Sequence, residues 1–236
     1  MGKVTITEIN DRLISLWEQY VPETRKALIP LFQQEPTKNC LLFVGLNPSF
    51  NPADMSRLIE QYLRLSIDVY TYFRWVLRRE IDMALLAKMD QVSKQHHRYF
   101  GRCREMSKFL GIPWEHIDLL FWRETSQAEL RHVLFQNWQK RALNEFGQEQ
   151  LELAMLLLEL VMPTCVVVIN ALASDLYKRH RSLKFSASRG CYLDYIAGRE
   201  TPVFLSGMLT GQRAIDRFSY ERLLWHVARE LRKQYG

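Results

Sequence analysis

The chain has 236 residues, of which 47% are hydrophobic and 25% charged, with a formal net charge of +6. That length and apolar content suffice for a substantial buried core, so disorder is excluded as the main state. Glu152, Glu159 and Pro163 interrupt the longest apolar stretches, which excludes a continuous membrane span.

In chain order, residues 6–20 carry Ile9, Leu13, Leu16 and Trp17 at helical spacing. Pro22, Pro30 and Pro36 then lead to the first strand, Cys40 to Val44, which stops at Gly45. Helical or irregular structure is predicted over 54–65 and 70–89, and a helix over 99–110 ending at Gly111. His116 to Trp122 is the second strand. A helix over 149–161 precedes CVVVI, residues 165–169, the third strand; Asn170 opens a further helix. A basic loop follows, and residues 202–205 form a fourth strand before a terminal helix around Tyr220 to Val227. Long helical intervals between strands favour parallel pairing. The expected fold is an α/β single three-layer domain with a mainly parallel four-stranded sheet flanked by helices. Residues 1–39 form an N-terminal helical extension packed on that core.

Chemistry is expected where the strands end, because loops leaving parallel strands gather at one crevice. The exits are 45–51, 121–125, 170–174 and 206–212. Asn47 and Asn170 bring amides, Phe121 and Trp122 bring aromatic faces, and Arg123 and Glu124 can hydrogen-bond there or form a surface pair. Each also has a structural role open to it: Asn47 and Asn170 as helix caps, and Phe50 and Trp122 as core aromatics. Residues 178–236 hold 12 Lys or Arg against 5 Asp or Glu, so they supply all of the positive excess. An anionic partner would meet this quarter, although solvated arginines account for the same composition. Cys40, Cys103, Cys165 and Cys191 lack paired metal-site spacing and read as buried thiols. The start of the chain shows no secretory pattern, so a cytoplasmic protein is expected.

The exit GLNPSF resembles the first motif of the uracil-DNA glycosylase superfamily, in particular its mismatch-specific thymine/uracil branch. The later strand exits and SGMLTGQRAIDRFS extend the resemblance in order over most of residues 40–227, so residues 40–236 are expected as the uracil-DNA-glycosylase-like α/β domain. The resemblance implies a DNA N-glycosylase of base-excision repair acting on an extruded modified or mismatched base. Asn47 then positions water, Gly45 allows close backbone approach, Leu46 is the motif's hydrophobe and a base-binding candidate, Pro48 stiffens the loop, and Phe50 stacks on the base. Trp122 and Phe121 stand where many relatives place a base-reading asparagine, which departs from ordinary uracil recognition. Ser206 stands near a histidine-proline-serine or asparagine-proline-serine pattern of relatives, where the histidine, when present, stabilises the leaving base, a role a serine reproduces fully only with other donors; Asn170 faces the same crevice. Met208 and Leu209 occupy the place of an apolar wedge, or simply anchor the loop. Thr210, Gln212, Arg213, Arg217, Lys184 and Arg189 are the DNA-binding candidates. The reading requires no cofactor and no metal, and it includes no membrane; protein partners are left open. A non-catalytic nucleic-acid-binding module and a nucleoside-like small-molecule hydrolase are the other functions considered.

Overall fold

The computed structural model describes residues 4–22 and 26–235. In chain order these form α1 (Ile6–Tyr20), β1 (Leu41–Gly45), α2 (Pro52–Leu63), α3 (Val69–Tyr72), α4 (Met83–His96), α5 (Gly101–Leu110), β2 (Trp114–Asp118), α6 (Gln127–Leu134), β3 (Phe135–Asn137), β4 (Ala142–Leu143), α7 (Glu145–Val161), β5 (Cys165–Ile169), α8 (Ala171–His180), β6 (Lys184–Ser186), β7 (Cys191–Ile196), β8 (Arg199–Ser206) and α9 (Arg217–Tyr235). Internal contacts group the chain into two compact units, each assembled from three stretches. One contains residues 1–34, 47–97 and 120–153; the other contains residues 35–46, 98–119 and 154–236. The expected extension over 1–39 is described for 4–22 and 26–39, with 35–39 in the second unit.

The first unit is mainly helical. α1 begins at a reciprocal cap between Thr5 and Glu8 and buries Ile6, Ile9, Leu13, Leu16 and Trp17 along one stripe. Asn51 caps α2, with Pro52 in its first turn, and Asp82 caps α4. β3 and β4 pair as a short antiparallel ribbon.

The second unit contains a six-stranded sheet in the order β2-β1-β5-β8-β7-β6. This corrects the expected fold class: the sheet has six strands of mixed direction, and a separate two-stranded ribbon accompanies it. The four predicted strands are present as the contiguous parallel block β2-β1-β5-β8. β1 and β5 are buried at every position, which explains why each is an unbroken apolar run. β7 runs antiparallel to β8, and β6 antiparallel to β7. The β7–β8 hairpin turns through Ala197 and Gly198, whose φ values of 49° and 79° match the turn that suits strand twist. Sequence periodicity missed these added strands because β7 is neither a continuous apolar run nor regularly alternating, with only Cys191, Asp194 and Ile196 buried. The second predicted strand ends at Asp118, so Phe121 and Trp122 lie beyond it.

α5 ends where Gly111 adopts a φ of 66°, a left-handed turn that a β-carbon would strain. Leu41, Phe43, Cys165, Val167 and Phe204 pack with Cys103 and Met106 of α5 and Tyr220, Val227 and Leu231 of α9. All four cysteines are free and buried. Burial pushes the Cys103 thiol up to about 12, the inert form expected of a packed thiol. Among the described residues, no helix is long and apolar enough to cross a membrane.

Candidate functional site

Asn47 belongs to the mainly helical unit, where the loop 47–50 is laced to residues 122–125. The Asn47 Nδ2 amide donates to the Glu124 carbonyl at 2.7 Å and the Trp122 carbonyl at 3.1 Å, with the Pro48 carbonyl at 3.4 Å. Carbonyl oxygens only accept, so this network fixes which end of the amide is nitrogen. Oδ1 is thereby turned away from the clamp, and it is not among the buried polar atoms lacking a partner. The amide nitrogen is thus committed to backbone carbonyls in a side chain that is partly buried. Glu124 N donates to the Pro48 carbonyl at 3.1 Å, while Thr125 Oγ1 receives Phe50 N and donates to the Phe50 carbonyl. Asn51, not Asn47, caps the following helix.

The aromatic candidates occupy the interior of this unit. Phe50 is 8% exposed, with its ring centroid 5.0 Å from that of Phe73. Trp122 is 5% exposed and packs on Trp17 and Phe146. Phe121 is buried, and its backbone N donates to the Gln150 side chain at 2.8 Å. Phe50 and Trp122, the rings expected to stack on a base, are packed against these neighbours in the core, and Phe121, the base-binding candidate beside Trp122, is buried there as well. Arg123 is also buried: its guanidinium meets Asp90 at 2.6 Å and lies over Phe73. Glu124 accepts from the backbone N of Ser126. Pro48 is partly buried and Ser49 is exposed.

The sheet-containing unit aligns its strand ends in register. Asp118 pairs with Gly45, and Ile169 pairs with Ser206. Val44 pairs with Val168, so the four ends form one row across the parallel block. Asp118 folds over Gly45 so closely that a β-carbon there would lie 2.2 Å from Asp118 Oδ1 and 2.9 Å from His116 Nε2. Gly45 is therefore required by space rather than by its backbone angle.

His116 and Asp118 alternate along β2 and share one face, with Nε2 3.8 Å from Oδ1 and both side chains almost fully buried. The His116 ring packs at 5.0 Å from Phe100 and 6.2 Å from Tyr99. Burial first, and then the charge of Asp118, pushes the Tyr99 phenol up. A buried imidazole beside a carboxylate can hold or pass a proton. Sequence reasoning missed this pair, although HxD within a strand carried the signal: residues two apart face the same way.

The remaining candidates in this unit are mostly engaged. Asn170 Oδ1 accepts from the backbone of Leu172 and Ala173, so its role is the cap of α8. Ser206 is partly buried, and its carbonyl receives the Ser174 hydroxyl. Leu46 is core, and Leu209 is core rather than a free wedge. Met208 is partly buried, and its carbonyl receives Ile215 N. Thr210 Oγ1 donates to the Tyr99 carbonyl at 2.9 Å. Gln212 and Arg213 are exposed on the loop before α9, and Lys184 is exposed on β6.

No protein-family model matches the sequence, and no curated protein matches it. Local chemistry must therefore carry the functional reading.

The basic excess is extensively paired within the unit. Arg189 meets the fully buried Glu230 at 2.7 Å and also pairs with Glu200. Arg181 pairs with Asp194 and Glu159, and Arg217 with Glu221 at 2.8 Å. Of the DNA-binding candidates, Arg189 is held in ion pairs within the unit, while Arg217 is exposed and meets only its helix neighbour Glu221. Lys184 and Arg213 retain exposed charges with no acidic partner among the described residues. Among these residues there is also no group of three or more His, Cys, Asp or Glu placed to hold a metal ion.

Proposed function

We propose that the chain is a nucleic-acid N-glycosylase in which Asn47 holds the water that attacks the sugar anomeric carbon. The observation that carries this reading is the one-sided clamp on the Asn47 amide. Its nitrogen is committed to backbone carbonyls, which leaves the oxygen as the polar atom of the amide that can accept from a water. A fixed acceptor orients a water lone pair toward a reacting carbon at little reorganisation cost. In the reaction, the water oxygen bonds to the anomeric carbon, the glycosidic bond leaves its electron pair on the base, and the water's proton neutralises the departing base. The resemblance of GLNPSF to the mismatch-specific glycosylase branch supports the assignment of this role to Asn47.

Hydrolysis of a free nucleoside is the second reading, favoured by the burial of Phe50 and Trp122. A small substrate does not require an aromatic platform for an extruded base.

The deciding experiment offers single- and double-stranded DNA carrying uracil, thymine mismatches, hypoxanthine or alkylated bases, alongside free nucleosides. Released base is measured by mass spectrometry. Release from DNA that is lost in a folded Asn47→Ala variant supports the proposal. Release from nucleosides without DNA affinity selects the second reading, and binding without release to any substrate removes the catalytic assignment.

A further inference from the structure

We propose that the outer face of α9 is a homodimer surface on which a second copy of the chain docks antiparallel. The inner face of α9 buries Tyr220, Val227 and Leu231 against the sheet-containing unit. Its outer face leaves Trp225 57% and Phe218 73% exposed, and Phe109 of α5 is 64% exposed nearby. Phe109 and α9 enclose an apolar groove of about 590 Å³, with Leu224 and Ala228 among its lining residues. Such a face is costly to leave in water.

The order of side chains along the groove identifies its occupant. Glu221 lies at one end and Arg232 at the other, with Trp225 and Ala228 between them. A two-fold axis crossing between His226 and Val227 reverses this order in the second copy. It sets Glu221 opposite Arg232 of that copy and Trp225 opposite Ala228, while Leu224 meets the stem of Arg229. Opposite charges meet at both ends, and a large ring meets a small residue twice. Antiparallel docking also opposes the helix dipoles favourably. An exclusively basic groove would select an acidic partner, whereas this groove carries both signs in an order complementary to itself.

Two local contacts prepare the surface. The Arg229 guanidinium lies 5.0 Å from the Trp225 ring centre, restricting both side chains. Glu221 meets Arg217 only through an exposed pair, a weak interaction that an incoming Arg232 can replace. From Glu221 to Arg232 the stripe is roughly 16 Å long. Such a short contact is smaller than a standard interface, so dissociation is expected on the order of micromolar concentrations.

Sedimentation velocity with the full chain from about 1 to 300 µM tests the proposal across that expected range. The native chain should show a reversible monomer–dimer equilibrium that weakens with salt. Glu221→Arg and Arg232→Glu each place like charges opposite one another and should weaken association about tenfold or more. The double exchange should restore it to within about threefold, a recovery that non-specific apolar association would not produce. Trp225→Ala should abolish dimerisation. Circular dichroism checks folding, and these exposed positions leave the inner packing of α9 intact. A native chain that stays monomeric overturns the proposal, as does a folded double exchange that fails to recover or a Trp225→Ala chain that dimerises normally.

Discussion

Replacing Asn47 tests its role as a clamp separately from any role in catalysis. Asn47→Ala removes the donations to the Glu124 and Trp122 carbonyls at 2.7 and 3.1 Å. At about 1 kcal/mol net per bond, with an added cost for partly buried carbonyls left without a donor, the loss is about 2–3 kcal/mol. For a chain of this size each kcal/mol moves Tm by about 2–4 °C, so a fall of about 4–12 °C is expected. Asn47→Asp should be worse at pH 7, because an ionised carboxylate cannot donate and would face the same oxygens.

Only the protonated form of that introduced acid can donate, so its pKa in the folded chain is raised above the unfolded value of about 4. Its stabilising contribution is complete below the unfolded value and is lost as pH rises through the folded one. The stability gap between the Asp and Ala variants should therefore narrow from pH 7 to pH 4. Thermal unfolding followed by circular dichroism at both pH values measures this gap. An Ala variant within about 0.5 kcal/mol of the native chain would refute the clamp, as would an Asp variant of native stability at pH 7.

Gly45→Ala would force a β-carbon against Asp118 and His116, at a cost of about 1–3 kcal/mol. In an Asp118→Ala background the same change should cost less, and equal costs in chemical denaturation would exclude Asp118 as the obstacle. For His226, burial and then the charges of Arg229 and Arg222 lower the pKa. Its neutral form therefore contributes stability above the ordinary value of about 6.5, and this is lost as pH falls through the lower folded value. His226→Gln should flatten the dependence of Tm on pH between 7 and 5; an unchanged slope would refute this assignment.

The parallel block was legible because fully buried strands become continuous apolar runs, as in LLFVG and CVVVI. β6 and β7 were hidden within a basic segment. Their burial is partial, and Ala197 and Gly198 turn the hairpin without the usual asparagine or aspartate signal. The cap at Asn170 was legible for a different reason: its partners lie two and three residues onward.

The roles of the candidate residues depended on distance along the chain. Sequence alone determined that Asn47 follows an abrupt strand ending and that the last quarter carries the positive excess. Tertiary structure alone decided that the Asn47 amide is held by carbonyls 75 and 77 residues away, and that Arg189 is spent on Glu230, 41 residues away. Local patterns determine periodic burial and caps because those interactions span a few residues. Pairings between distant polar groups depend on how the chain closes on itself, and no local pattern encodes that closure.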